Sequence, residues 1–222
     1  MSQPNANCPN CGAPVQFRWS SAVQTTCEFC KSILVRSDVD IQRVGTVADL
    51  PPDASPIQIL TEGSWNGRNF QVIGRIIYEH DLGVWNEWHA VFSDGTSGWL
   101  SDAQATYAIS FIQPPQHLPG AHEAHRGAHF TFNNVDFEVT SRNTAFYRGV
   151  QGELPFQFWD KSKVSFIDLR SQGREFATLD YSEDAPVLYL GQSVEYEELN
   201  LKNVREFEGW TLTGQAAPGA RY

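Results

Sequence analysis

The sequence predicts an all-β protein: a small N-terminal module held together by cysteines, then two related small β-barrel or sandwich repeats packed together. Three observations lead there. All four cysteines fall in two C-x-x-C pairs near the N-terminus. Tight-turn dipeptides recur between short apolar runs. One stretch of chain is echoed by another 67 positions later.

The cysteine pairs are Cys8-Pro9-Asn10-Cys11 and Cys27-Glu28-Phe29-Cys30. Two residues between thiolates let one tight turn aim both sulfurs at one metal, and two such turns complete a tetrahedron. The spacing therefore predicts a four-thiolate Zn²⁺ site with Cys8, Cys11, Cys27 and Cys30 as ligands. Because protein fills all four positions, the site is structural. Gly12 suits the left-handed backbone at the end of the first turn. Val15-Gln16-Phe17, Ala22 to Thr25 and Ile33-Leu34-Val35 read as three short strands, making residues 1–36 a zinc ribbon. The competing reading, two disulfides, calls for an oxidising compartment, and Met1-Ser2-Gln3-Pro4-Asn5 lacks the basic and apolar regions of a secretory signal. The expected location is cytoplasmic.

Composition narrows the partners. The net charge is −10, hydrophobic content 41% and mean hydropathy −0.37. Residues 1–43 carry four basic and three acidic side chains, so the remainder carries 12 against 23. This disfavours the many Lys/Arg–phosphate contacts of nucleic-acid binding and direct adhesion to anionic lipid, and it permits cationic ligands. No apolar run reaches the ~18 residues needed to cross a bilayer. Aromatic content is 13%, with seven Trp, as in chains that bury aromatics in β structure.

Residues 37–57 read as a linker, with Pro51, Pro52 and Pro56 breaking helix and ladder alike. Residues 58–112 form the first β repeat, 113–128 a His- and Pro-containing linker, 129–212 the second repeat, and 213–222 a flexible tail. Asn66-Gly67, Asp94-Gly95 and Asn133-Asn134 sit between strand-like runs and read as hairpin turns. Phe130/Phe132 and Val135/Phe137/Val139 alternate with the period of a half-buried strand. One helical turn is expected near Glu195 to Leu199. The echo aligns Trp65-Asn66-x-x-Asn69-Phe70-Gln71-Val72-x-x-Arg75 with Phe132-Asn133-x-x-Asp136-Phe137-Glu138-Val139-x-x-Arg142. It reads as two copies of one β unit.

The ribbon, Trp85-Asn86-Glu87-Trp88 with Asp94-Gly95-x-x-Gly98-Trp99-Leu100, Gly152-Glu153-Leu154-Pro155-Phe156, and Phe176-Ala177-Thr178-Leu179-Asp180-Tyr181 together resemble a bacterial family known as domain of unknown function 4178. The resemblance covers roughly residues 8–210 and brings no established activity. It implies an accessory role linked to polyamine enzymes or membrane-stress proteins, with indirect membrane association.

Six residues form a candidate binding surface: Trp85, Glu87, Trp88, His89, Trp99 and Glu153. Glu87 and His89 lie two apart on one strand face and could serve as base or ligand, though such pairs are commonly solvated or bonded to a neighbouring strand. Glu153 could accept backbone N–H bonds and fix a bend, or pair with Asp168 or Asp180 in catalysis. His117, His122, His125 and His129 offer a second metal-ligand spacing on a segment that reads as a solvated linker. Trp65, Trp85, Trp88, Trp99, Trp159 and Trp210 read as core and rim aromatics, and as a partner surface where several are exposed together. Arg75 and Arg142, at matching repeat positions, are expected to pair with carboxylates.

These features favour a non-catalytic adaptor. The ribbon would dock a protein partner, and the acidic, aromatic β body another partner or a cationic ligand. A nucleic-acid accessory factor using an OB- or SH3-like barrel is the second reading. An enzyme built on Glu87/His89 or Glu153 is the third; it requires a deep pocket between the repeats with converging carboxylates.

Overall fold

A computed structural model of the chain describes residues 6–37, 41–47, 54–80, 83–157, 163–182 and 185–207. The described chain is all-β. No helix of the described residues is long and apolar enough to cross a membrane. Trp159, Trp210 and the 213–222 tail lie outside the described residues.

In the N-terminal module, β1 (Ala6–Asn7) pairs with β2 (Pro14–Val15) around the first Cys pair. Strands β3 (Gln24–Thr26), β4 (Ser32–Arg36) and β5 (Ile41–Thr46) form an antiparallel sheet around the second. Strand β5 falls in the stretch expected to be linker. Its Ile41 is buried, and the pairing with β4 carries it through the charged, strand-poor composition that argued for a linker.

Residues 62–194 supply ten strands of one sheet. The first five are β6 (Glu62–Trp65), β7 (Arg68–His80), β8 (Gly83–Phe92), β9 (Ser97–Ala103) and β10 (Thr106–Ile112). The second five are β11 (His129–Phe132), β12 (Val135–Gly152), β13 (Lys163–Arg170), β14 (Glu175–Asp180) and β15 (Val187–Val194). Successive strands pair as antiparallel neighbours, and the two sets join at two seams: β10 with β15, and the C-terminal halves of β7 and β12. Each of β7–β10 and β12–β15 thus has two flanking partners, so eight strands close into one barrel. The expectation of two small barrels gives way to one, because the backbone edges that each unit would otherwise leave open pair across the seams.

The expected turns form. Asn66 and Gly67 take φ of 48° and 73°, and Asn133 and Asn134 take 48° and 63°, the left-handed pair that suits a two-residue hairpin. Gln104 and Ala105 do the same between β9 and β10 without any sequence signal. A 3-10 turn spans Tyr196–Leu199.

The two long strands carry matching bulges, at Val72/Gly74 in β7 and at Val139/Ser141 in β12, again 67 positions apart, and β12 has a second at Tyr147/Gly149. An extra residue reverses which face the following side chains take. Before the bulge Phe70 and Val72 join one hydrophobic cluster; after it Ile76, Tyr78 and His80 face the lumen. Likewise Phe137 and Val139 join a second cluster, while Ser141 and Asn143 face the lumen.

Both clusters lie on the faces turned away from the lumen. The first, with Trp88, Leu100 and Ile109, is covered by Ile57, Ile59, Leu199 and Leu201. The second, with Ile167, Leu169, Ala177 and Leu179, is covered by Leu118, Ala124 and Ala128. The 113–128 segment is therefore no solvated spacer. Ala124 is fully buried, and Tyr181 Oη and Arg142 Nη1 bond the carbonyls of Pro119 and Ala121 at 2.8 Å each. Arg142 thus meets a carbonyl where a carboxylate was expected.

The module docks on the chain just past β12. Leu154 exchanges backbone bonds with Gln24, at 2.9 Å and 3.2 Å. Glu153, fully buried, accepts the amides of Arg18 (2.7 Å) and Trp19 (2.9 Å). Ile33, Val44 and Val47 pack with Ile76, Trp99, Leu154 and Phe156. Close approach of backbones requires glycine at position 74, where a Cβ would lie 2.0 Å from the Glu153 carbonyl. Replacing Glu153 with alanine strands two amides, and the expected loss is about 1–3 kcal/mol of stability in urea titration. Hydrogen exchange at Arg18 and Trp19 should accelerate with it; unchanged rates there would mean that the carboxylate does not hold the module.

Candidate functional site

The closed sheet encloses a cavity of about 680 Å³, within the ordinary range for a small-molecule site. All eight barrel strands contribute to it through alternate residues, because alternate side chains of a strand point to the same face. From β8 come Trp85 and Glu87, and from β9 Trp99 and Ser101. Strands β13 and β14 supply Phe166, Asp168, Thr178 and Asp180, and Tyr78 and Tyr189 face in from β7 and β15.

Aromatic rings make much of the wall. Tyr78 stacks on Trp85 with centroids 5.0 Å apart, and Phe166 meets Trp85 edge-on at 5.8 Å. Trp99 stacks on Phe156 at 5.8 Å. Such contacts fix ring orientation and leave flat apolar faces toward the cavity.

The polar wall is acidic. Glu87 Oε1 accepts the Trp85 indole N–H at 3.0 Å, and Oε2 accepts the Ser101 hydroxyl at 2.7 Å. Asp168 accepts three neutral donors: Ser141 Oγ (3.0 Å), Asn143 Nδ2 (2.8 Å) and Thr178 Oγ1 (3.0 Å). Asp180 accepts the Ser182 amide at 2.8 Å. Burial, opposed by the two donated bonds, pushes the Glu87 carboxyl up to about 7, with Asp168 and Asp102 adding like-charge repulsion. Burial, then the charges of Glu87 and Asp180, raises the Tyr78 phenol well above its usual range.

The six candidate surface residues divide three ways. Trp85, Glu87 and Trp99 line the cavity. Trp88, one position along from Glu87, points to the opposite face, is 1% exposed and lies under the Arg75 guanidinium at 4.6 Å. It is core, not surface, because strand alternation separates neighbours. Arg75 also bonds the Asn86 side-chain oxygen through Nε (2.9 Å) and Nη2 (2.6 Å).

His89 and Glu153 sit at the module interface. His89 Nδ1 bonds the Glu153 carbonyl and Nε2 bonds Ser97 Oγ, both at 2.8 Å. Its ring packs against Trp19 of the module at 5.1 Å and Trp99 at 5.3 Å. Burial lowers its pKa to about 4, which keeps the imidazole neutral at ordinary pH. Glu87 and His89 share a strand face as expected, but Glu87 works in the lumen and His89 in the interface.

The four thiols converge. Their sulfurs lie within 4.8 Å of one another, with Cys8–Cys30 at 3.6 Å and Cys11–Cys27 at 3.8 Å. Matching turns present them: Gly12 N–H bonds Cys8 O at 2.8 Å, and Lys31 N–H bonds Cys27 O at 3.0 Å. Gly12 and Lys31 follow their cysteines with φ of 75° and 58°. Among the described residues this is the group of ligating side chains drawn tightly enough to hold a metal ion. The linker histidines do not join such a group; His129 Nδ1 instead pairs with Asp136 at 2.8 Å.

Sequence reasoning missed Trp19, Tyr78, Tyr189, Ser141 and Asn143. It considered Asp168 and Asp180 as partners of Glu153, whereas they share the lumen with Glu87. The family model described as "Domain of unknown function (DUF4178)" matches residues 59–196, more than half of the chain, and takes in the whole barrel apart from the module. No curated protein and no solved structure matches the chain.

Glu87 has a measurable signature. Its folded-state pKa is raised above the unfolded 4.5, so between about pH 4.5 and 7 the native chain holds a proton that the unfolded chain has released. Stability therefore falls as pH rises through that window, by at most about 3 kcal/mol. Glu87→Gln should flatten that part of the profile. The variant's melting temperature, relative to the parent, should be higher at pH 8 than at pH 5; equal offsets at the two pH values would mean that Glu87 is not held protonated.

Proposed function

The chain belongs to the family of the Domain of unknown function (DUF4178), and from that premise we propose that it is a non-catalytic binding protein in two parts. The barrel receives a small ligand in its lumen. The N-terminal module is a zinc ribbon that carries the protein to a partner. The observation behind this reading is the 680 Å³ cavity reached by every barrel strand, with its donors and rings already fixed by one another. A pre-formed concave site with few, placed polar groups suits binding without large rearrangement.

Zinc suits the thiol quartet. A tetrahedron with Zn–S near 2.3 Å has edges of about 3.8 Å, close to the 3.6 Å and 3.8 Å separations of the two sulfur pairs. Cys8, Cys11, Cys27 and Cys30 would hold the ion, which would cross-link β1–β2 to β3–β4 and take no part in chemistry. Phe29, 69% exposed between two ligand positions, offers an apolar contact for a protein partner. The recurrence of strands, turn and bulge at the 67-residue offset supports the reading of the barrel as two copies of one five-strand unit.

An enzyme is the second reading, favoured by Glu87 titrating near neutrality within reach of the Asp168 charge, an arrangement suited to proton transfer. It differs from the first in requiring that a bound molecule be altered. Placement of Trp85 and Trp99 inside the lumen, together with the charge of −10, supports a small ligand over a nucleic-acid strand.

Two measurements test this reading. Elemental analysis of the purified full chain should return one zinc per chain, and Cys8→Ser/Cys11→Ser should lose it and expose the module to protease while the barrel stays folded. Native mass spectrometry of protein taken gently from cells should show a small molecule that leaves the barrel intact on release. Zinc-free protein with an intact module, or a lumen that never carries or accepts a small molecule, would count against the corresponding half.

A further inference from the structure

The lumen's chemistry specifies its ligand more closely. Glu87, Asp168 and Asp180 all face the cavity, and the donors that hold them are neutral: an indole, hydroxyls and amides. Among the described residues none of the three is in an ion pair with a lysine or arginine. The arginine that lines the cavity, Arg170, is exposed, with its guanidinium 5.3 Å above the Phe176 ring. A low-dielectric enclosure carrying one sign of charge concentrates that field on whatever enters. The raised phenol of Tyr78, driven in part by Glu87 and Asp180, is a mark of the same field.

A carboxylate accepts about four hydrogen bonds. Ionised, above about pH 7, Glu87 uses one on each oxygen, so each retains a free lone-pair direction. A bare metal ion is a poor match, because the lumen carboxylates do not come together as the four thiols do. An anion would face all three carboxylates. A neutral apolar molecule would leave them uncompensated. A cation with a carbon body satisfies both walls, since ring faces attract ammonium groups and apolar surface covers the rest.

Resting on the reading of the lumen as a binding site, we infer that its ligand is an organic ammonium compound, its cationic head on the Glu87–Asp168 wall and its carbon chain along Trp99, Phe156 and Phe166. The head would donate to Glu87 and sit over the Trp85 ring. The chain would run toward Ile76 and Val164.

The test uses the full chain and three probes of one length: n-hexylammonium, 1-hexanol and hexanoate. Binding is followed by calorimetry and by the fluorescence of the lumen tryptophans. Hexylammonium should bind at least ten-fold more tightly than hexanol, and hexanoate more weakly than either. Glu87→Gln and Asp168→Asn, each checked for native circular dichroism, should cut the ammonium preference five-fold or more. Equal binding of hexanol and hexylammonium would overturn the ligand class and leave the lumen reading standing. An ammonium preference untouched in both variants would place the cation elsewhere and also overturn it. Binding of none of the three probes would overturn the lumen reading together with this inference.

Discussion

Pairing between the far halves of β7 and β12 is the constraint on which the rest of the molecule depends. Ten strands linked only in chain order would leave two curled sheets with open edges. The backbone bonds from Phe146↔Glu79 to Gly152↔Gly74 join one pair of edges, and β10 with β15 joins the other. Closure removes the unpaired donors and acceptors that edges would expose. It also creates an interior that belongs to neither half.

The two matching bulges decide which side chains of the long strands face that interior. With them, each long strand gives its first half to a hydrophobic cluster outside the barrel and its second half to the lumen. Stability is thus drawn from apolar burial on the outer faces, under the 54–61, 113–128 and 196–201 segments. The inner face is released from packing and can carry carboxylates. The polar groups there are costly to bury alone, and the bonds to Glu87 and Asp168 offset part of that cost.

The N-terminal module is tied into the same arrangement rather than tethered beside it. The 153–157 segment meets the module through Glu153 and Leu154 and the cavity through Phe156 and Gln157. Trp19, His89 and Trp99 form a row of ring contacts from the module to the lumen wall. A buried carboxylate bonded to two amides, as Glu153 is, holds a docking angle that apolar contact alone would leave loose.

Much was legible in the chain. Spacing alone brought the four thiols together, since a C-x-x-C turn is local and two of them leave few ways to meet. Asn66-Gly67 and Asn133-Asn134 marked their hairpins because left-handed backbone is a residue-level preference. The 67-residue echo anticipated matching strand starts. What local pattern could not carry was which face of a strand meets water and which meets a lumen. Glu87, Asp168 and Asp180 alternate with apolar residues just as solvated side chains do, and Trp88 looks no different from Trp85. Partners more than a hundred positions apart, such as Glu153 with Arg18 and Trp19, leave no trace in either neighbourhood. Those assignments arise from closure of the sheet, a non-local event that turns an ordinary polar face inward.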